Sequence, residues 1–191
     1  MKLSEILELQ TDNWVCKREG TQGTDKNTTH SYVEGFYEEA FKSYKDKPIS
    51  ILEIGIARGD SLLLWDSYFI HNTLIFGLDN HDQRRSEVVE HSKIKSFIVD
   101  AYQQSIPERL PNFDIIIDDG PHSEESQCFA INHYLPKVNV GGMFIIEDIQ
   151  KESSIEVFKN ILPNKYKDKC KFVDLRSIKH RYDDMMFVVY V

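Results

Sequence analysis

Ile115-Ile116-Ile117-Asp118-Asp119-Gly120-Pro121-His122 joins three β-branched residues to a pair of acids and a turn. Phe144-Ile145-Ile146-Glu147-Asp148 repeats the pattern downstream. Near-continuous apolar runs mark strands buried on both faces of a parallel sheet. Open α/β sheets place their ligands at the C-terminal ends of such strands. Asp119, Glu147, Asp148 and His122 are therefore expected to meet at one sheet edge. Like charges crowded together there are costly without a compensating cation.

Outward from these two runs, strand and helix patterns alternate. Residues 49–54, 74–78, 95–99, 114–117 and 142–146 read as strands, with helices over 60–68, 84–91, 105–110, 123–135 and 153–162. Residues 172–175 and 186–190 close the chain as two strands with no helix between them. Upstream, residues 3–10 form a short amphipathic helix and 17–30 a polar loop. Residues 31–45 carry Tyr32, Phe36, Tyr37, Ala40, Phe41 and Tyr44 at helical spacing, and Pro48 ends that element. This alternation predicts an α/β three-layer doubly wound sandwich of about seven strands. The sheet is mostly parallel, with one antiparallel strand in the edge region. One domain spans 1–191, with an N-terminal helical lid segment over 1–45 and a Rossmann-like core over 46–191.

Composition narrows the partners. The chain has 191 residues, 41% hydrophobic and 28% charged, with a formal net charge of −8. That charge argues against sequence-independent nucleic-acid binding, which requires a basic face. Cys16, Cys128 and Cys170 are widely spaced and odd in number, which favours a reducing cytoplasm over a disulfide framework. Acids interrupt the first residues where a signal peptide needs an apolar stretch. No run is long enough to span a bilayer. Homo-oligomerisation is left open.

The segment Ile51-Leu52-Glu53-Ile54-Gly55-Ile56-Ala57-Arg58-Gly59-Asp60-Ser61 links the first core strand to its helix. It departs from the GxGxxG dinucleotide fingerprint, because Ala57 replaces the second glycine and Glu53 precedes the first. A carboxylate there repels a pyrophosphate and attracts a cationic amino-acid moiety, such as that of S-adenosylmethionine. Gly55, Ala57, Gly59 and Ser61 supply the surrounding loop. Asp79, at the end of the second strand, is placed to accept ribose hydroxyls. Asp100, or the Ala101 amide, at the end of the third reaches an adenine edge. Asp118 points away from Asp119 by strand alternation, as a cofactor-side residue or a structural acceptor.

A hard cation such as Mg²⁺ takes oxygen ligands. Asp119, Glu147 and Asp148 supply three, leaving positions for vicinal substrate hydroxyls. His122 titrates in the range of a general base.

These residues resemble a known group. Leu52–Leu62, Ile117–His122 and Ile146–Ile149 are similar to the metal-dependent class I methyltransferases, and most to the macrocin and mycinamicin sugar O-methyltransferases. Pro121 stands where that family usually has Ser, and the expectation is a chain without the macrolide enzymes' N-terminal auxiliary domain. The resemblance implies S-adenosylmethionine as donor, Mg²⁺ as cofactor, Asp119, Glu147 and Asp148 as ligands, and His122 as base. It also implies that the segment carrying Gly23, Thr24, Asp25, Lys26, His30 and Tyr32 folds over the active site. The expected activity is O-methylation of a sugar hydroxyl on a glycan, glycoside or nucleotide-linked sugar. A catechol-like diol bound in a slot of Trp14, Tyr32, Tyr37 and Tyr102 is an alternative acceptor. A non-catalytic S-adenosylmethionine-binding module is an alternative class.

Overall fold

A computed structural model describes residues 1–9, 24–71 and 73–191. Residues 17–23 of the loop expected over 17–30, residue 10 of the helix expected over 3–10, and Trp14 and Cys16 lie outside the described residues.

Seven strands form one sheet: β1 (Ser50–Ile54), β2 (Leu74–Asp79), β3 (Ile94–Ile98), β4 (Phe113–Asp118), β5 (Val138–Ile146), β6 (Cys170–Asp174) and β7 (Met185–Tyr190). Their order is β3-β2-β1-β4-β5-β7-β6. The pairs among β1 to β5 are parallel, and β7 runs antiparallel to both β5 and β6. The antiparallel strand thus lies one place in from the edge. The helices are α1 (Leu3–Leu9), α2 (Asp25–Thr28), α3 (Glu38–Ala40), α4 (Asp60–Tyr68), α5 (Ser86–Val89), α6 (Ser105–Arg109), α7 (Glu124–His133), α8 (Ser154–Ile161) and α9 (Arg176–Lys179). No helix among the described residues is long and apolar enough to cross a membrane.

Strand periodicity builds the three layers. Ile51, Ile115, Ile117, Met143, Ile145 and Val188 pack on one face with α1 and α4. Leu52, Ile116, Phe144, Ile146 and Phe187 pack on the other with α7 and α8. The Ile115–Ile117 triplet is fully buried on both faces. Each such side chain contributes roughly 1.5–3 kcal/mol by leaving water.

Three local expectations change. The helix read over 31–45 begins as a π-helical turn at Val33–Tyr37, runs briefly as α3, and gives way to turns. The loop read over 17–30 contains α2, whose first turn is capped by the Thr24 side chain accepting from the Lys26 amide. A short helix, α9, also separates the last two strands. The Asp174 side chain accepts the Arg176 N–H at 3.1 Å at its start, and His180 ends it at φ 57°. Side-chain capping is local chemistry that a search for apolar periodicity passes over.

Candidate active site

The sheet order reverses between β1 and β4, and a crevice opens outside the carboxyl ends of the strands at this switch point. It encloses about 550 Å³, within the range of small-molecule sites. Its wall comes from successive strand ends: Gly55, Ile56 and Ala57 after β1, Asp79 at the end of β2, Asp100, Ala101 and Tyr102 after β3, and Asp119 to His122 after β4. Asp148 after β5, Ser61 on α4, and Thr24 and Asp25 before and in α2 also line it.

Backbone geometry at the rim is unusual. Ala57, His122 and Asp148 adopt positive φ of 45°, 59° and 52°. Non-glycine residues held this way cluster at functional sites, where surrounding structure enforces them. Gly55 has φ +82°, and a Cβ there would lie 1.9 Å from the carbonyl oxygen of Asp119. Its missing side chain lets the tips of β1 and β4 touch. Gly59 lies one layer back, capping α4 against Val88.

The cofactor-side acids divide. Asp79 faces the cavity, with Oδ2 accepting the N–H groups of Ile56 at 3.0 Å and Ala57 at 2.8 Å. It therefore shapes the β1–α4 loop as well as presenting a carboxylate. Asp100 accepts the Tyr102 amide at 3.0 Å. Glu53 is fully buried beneath the loop rather than on the cavity wall, bound by Ser61 Oγ at 2.7 Å and Trp65 Nε1 at 2.6 Å. Both donors lie on the face that α4 turns to β1. Asp118 does point away from Asp119 and accepts the Tyr102 hydroxyl at 2.5 Å. Burial pushes Asp118 up to about 7, against the opposing hydrogen bonds from Tyr102 and the Gly120 amide.

Asp119, His122 and Asp148 converge, each offering a ligand atom within 4.8 Å of the others. His122 Nε2 is 3.7 Å from Asp148 Oδ2, and its buried Nδ1 has no hydrogen-bond partner among the described residues. Burial pushes the imidazole below its ordinary value, with Asp148 opposing and Lys26 adding to the depression. Ser123 caps α7 by accepting the Ser126 amide at 3.1 Å and so fixes the chain just after His122.

Glu147 turns inward. Its Oε1 accepts the Tyr37 hydroxyl at 2.5 Å, and its Oε2 accepts from the Lys26 ammonium. Lys26 also donates to Asp119 Oδ2 at 2.8 Å and lies 3.4 Å from Glu53 Oε1. Burial opposes the ammonium's charge, but Asp119, Glu147 and Glu53 outweigh it and hold the group well above the usual lysine range. Burial raises Asp119 and Glu147, with Lys26 opposing the rise in both.

The segment after Lys26 is pinned to the same edge. His30 Nδ1 is 3.3 Å from both Asp148 Oδ1 and Asp184 Oδ1, and the Ser31 amide donates to Asp184 Oδ1. The Tyr32 hydroxyl donates to Asp148 and to the Asp183 carbonyl. The aromatic slot does not assemble from its described members. Tyr32 and Tyr37 are buried and committed to acids, while Tyr102 lines the cavity.

A sulfonium nucleoside and a hard cation suit these groups: a crevice of small-molecule size, with carboxylate oxygens and one imidazole in its wall. Comparison with known proteins points the same way. A family model described as a methyltransferase domain matches residues 52–149, more than half of the chain. The chain is 31% identical over 136 residues to the 8-demethyl-8-alpha-L-rhamnosyl tetracenomycin-C 2'-O-methyltransferase of Streptomyces olivaceus, covering 67% of this chain and 35% of that protein. It is 32% identical over 124 residues to the demethylmacrocin O-methyltransferase of Streptomyces fradiae, covering 59% and 30%. Among solved structures, the MycE methyltransferase from the mycinamycin biosynthetic pathway, in complex with Mg, SAH and mycinamycin VI, superposes with a TM-score of 0.70 at 23% identity. That superposition covers 100% of this chain and 53% of MycE, so the fold is shared. The matches span about a third of the length of the curated relatives. Because the family match begins inside β1 and ends just past β5, it takes in the C-terminal end of every strand that walls the cavity: the chain belongs to this methyltransferase domain family.

Proposed function

We propose that the protein transfers a methyl group from S-adenosylmethionine to a sugar hydroxyl, assisted by a divalent cation such as Mg²⁺. One observation carries the reading: a nucleoside-sized crevice at the sheet's switch point ends at the joined group Asp119, His122 and Asp148. The Streptomyces olivaceus relative is named for 2'-O-methylation of a rhamnosyl tetracenomycin, and MycE was solved with Mg, SAH and mycinamycin VI. Both facts support this choice of acceptor, donor and ion.

In this reading the loop Gly55–Ser61 holds the methionine end of the donor and Asp79 the ribose, while Asp100 and Ala101 meet the adenine. Glu53 acts from below, through Ser61. Asp119 and Asp148 would hold the cation with His122 alongside. When bound, the ion supplies Lewis acidity that lowers the pKa of an acceptor hydroxyl. His122, neutral because it is buried, accepts the hydroxyl proton as the oxygen forms its bond to the methyl carbon. The carbon–sulfur bond breaks in line, leaving S-adenosylhomocysteine. Alignment along the crevice, and fixed charge at its end, supply most of the rate gain. The acceptor is read as a glycoside or nucleotide-linked sugar, and a reducing cytoplasm suits the chain's thiols.

The test is transfer of labelled methyl from S-adenosylmethionine to deoxy-sugar glycosides and sugar nucleotides, with and without EDTA. Transfer that stops in EDTA and returns with excess Mg²⁺ supports the reading. Full activity in the chelator removes the ion. Donor binding with no turnover on any acceptor favours a non-catalytic module.

A further inference from the structure

The reading above fills the crevice over β1, β2 and β3 with the donor, so the acceptor must reach the ion end from the other half of the sheet. That half is β5-β7-β6. Ile146 at the end of β5 pairs with Phe187, and Asp174 at the end of β6 pairs with Met185 at the start of β7. The carboxyl ends of β5 and β6 therefore share one edge with the start of β7, and the connection Leu175–Asp184 stands on that edge. The Ile149 N–H donates to the Met185 carbonyl at 3.1 Å, which joins this corner to the chain just after Asp148. The connection is held at several points. The Leu175 N–H donates to the Asp184 carbonyl at 2.9 Å, the Lys179 ammonium to the His30 carbonyl at 2.6 Å, and the Arg181 guanidinium twice to the Asp183 carboxylate. Among the described phenylalanines, tyrosines and tryptophans, Tyr182 is the most exposed, at 65%. One exposed ring needs no explanation by itself. This ring is tethered: its hydroxyl donates to Gln150 Oε1 at 2.9 Å, and Gln150 Nε2 donates to the Asp148 carbonyl at 3.3 Å.

We propose that Tyr182 is the acceptor platform of this site: its ring packs against the C–H face of a 6-deoxy sugar, and Gln150 is the positioning residue that holds the ring at a set place relative to Asp148. This rests on the reading that the protein methylates a sugar hydroxyl. A pyranose that turns vicinal hydroxyls towards the reacting end must offer the protein another surface, and in a 6-deoxy sugar that surface carries C–H groups and a methyl. Tyrosine suits it, with a rigid apolar body and a polar tip for the tether. A ring ordered before the acceptor arrives spares part of the ordering cost of binding. Loops fixed on a rigid sheet are where such contacts are commonly carried. Because Gln150 bonds a main-chain carbonyl, the tether makes no claim on the Asp148 carboxylate.

Binding of methyl α-L-rhamnoside to the full chain, loaded with S-adenosylhomocysteine and Mg²⁺ and followed by saturation-transfer NMR, tests this without turnover. Tyr182→Ala should weaken the rhamnoside about tenfold, while Tyr182→Trp, which keeps an aromatic face, should stay within about threefold of wild type. Tyr182→Phe and Gln150→Ala should each weaken it about threefold. Combined, they should lose no more than either alone, because both cut one tether. Affinity for S-adenosylhomocysteine by calorimetry should be unchanged throughout, since neither residue lines the donor crevice. Rhamnoside binding unchanged in Tyr182→Ala, losses that add in the double variant, or no rhamnoside binding by wild type overturns the platform alone, whatever methyl transfer to other acceptors shows. Rhamnoside binding that depends on Tyr182, with no methyl transfer to any acceptor, leaves the ring as a sugar-binding surface and overturns the transferase reading instead.

Discussion

The Lys26 ammonium donates to Asp119 Oδ2 at 2.8 Å across 93 residues of sequence, joining the first helical turn after the undescribed segment to the tip of the fourth strand. Taking a charge out of water costs several kcal/mol, and opposed charges with good hydrogen bonds offset this. The contact therefore depends on the whole acidic cluster being in place. In turn, the cluster tolerates its own burial because the ammonium is there. Asp119 has two neighbourhoods: Lys26 inside, His122 and Asp148 outside.

His122 is the group on the outer side whose chemistry is most readily isolated. Replacing it by Ala should lower kcat on the order of 10²-fold or more. Binding of S-adenosylhomocysteine by calorimetry should change little, because the residue lies at the end of the crevice nearest Asp148. An unaltered kcat removes His122 from the reaction.

The same residue sets a pH dependence. Burial depresses the imidazole below its usual value, with Asp148 opposing. The neutral, proton-accepting form then persists to lower pH than for a free histidine. kcat/KM should be flat around neutrality and fall on acidification only below the ordinary imidazole range. A titration at or above 6.5 in the kcat/KM profile contradicts the assignment.

The sheet was legible because its strands announce themselves. Ile115–Ile117 and Phe144–Ile146 are continuous apolar runs ending in acids, and α4 spans the same residues, 60–68, in the sequence reading and in the structure. Topology led to the expectation that Asp119, Glu147, Asp148 and His122 meet at one edge; Asp119, His122 and Asp148 converge there, while Glu147 turns inward to Lys26 and Tyr37. The partners of the acids did not follow from it. Lys26 stands in a polar, glycine-containing stretch where nothing in the spacing signals burial. Tyr37 reads as core by its helical spacing, yet its hydroxyl holds Glu147. Tyr102 and Asp118 meet only because the ends of β3 and β4 face each other across the crevice. Glu53, expected to face the cofactor, is instead claimed from within by Ser61 and Trp65, four apart on α4. Pairings across tens of residues are set by packing, and a single sequence carries no trace of them.

Gly55 tests the backbone contact between β1 and β4. Gly55→Ala would place a methyl group 1.9 Å from the Asp119 carbonyl oxygen, in a conformation with φ +82° that L residues avoid. Strain and overpacking together should cost about 3 kcal/mol or more. Urea unfolding measures it directly. Because Asp119 must move to relieve the clash, residual folded protein should also bind Mn²⁺ less tightly. A variant as stable as wild type would mean that the two strand tips do not touch.

Asp118 gives a stability prediction whose sign is fixed by its surroundings. Burial raises its folded-state value to about 7, from an ordinary 3.8. The folded protein therefore holds this proton more tightly than the unfolded chain does. The group's stabilising contribution is complete below about pH 3.8 and is lost as pH rises through 7, where a buried carboxylate must ionise. Asp118→Asn keeps an oxygen to accept the Tyr102 hydroxyl and never ionises. At pH 8 the variant should melt above wild type, by roughly 2–4 °C for each kcal/mol recovered in a chain of this size. The gap should narrow steadily as the pH is lowered towards 5, because wild type regains its proton there. A gap that stays constant across this range would show that Asp118 carries the same charge in the folded and unfolded chain, and that Tyr102 and the Gly120 amide already compensate its burial.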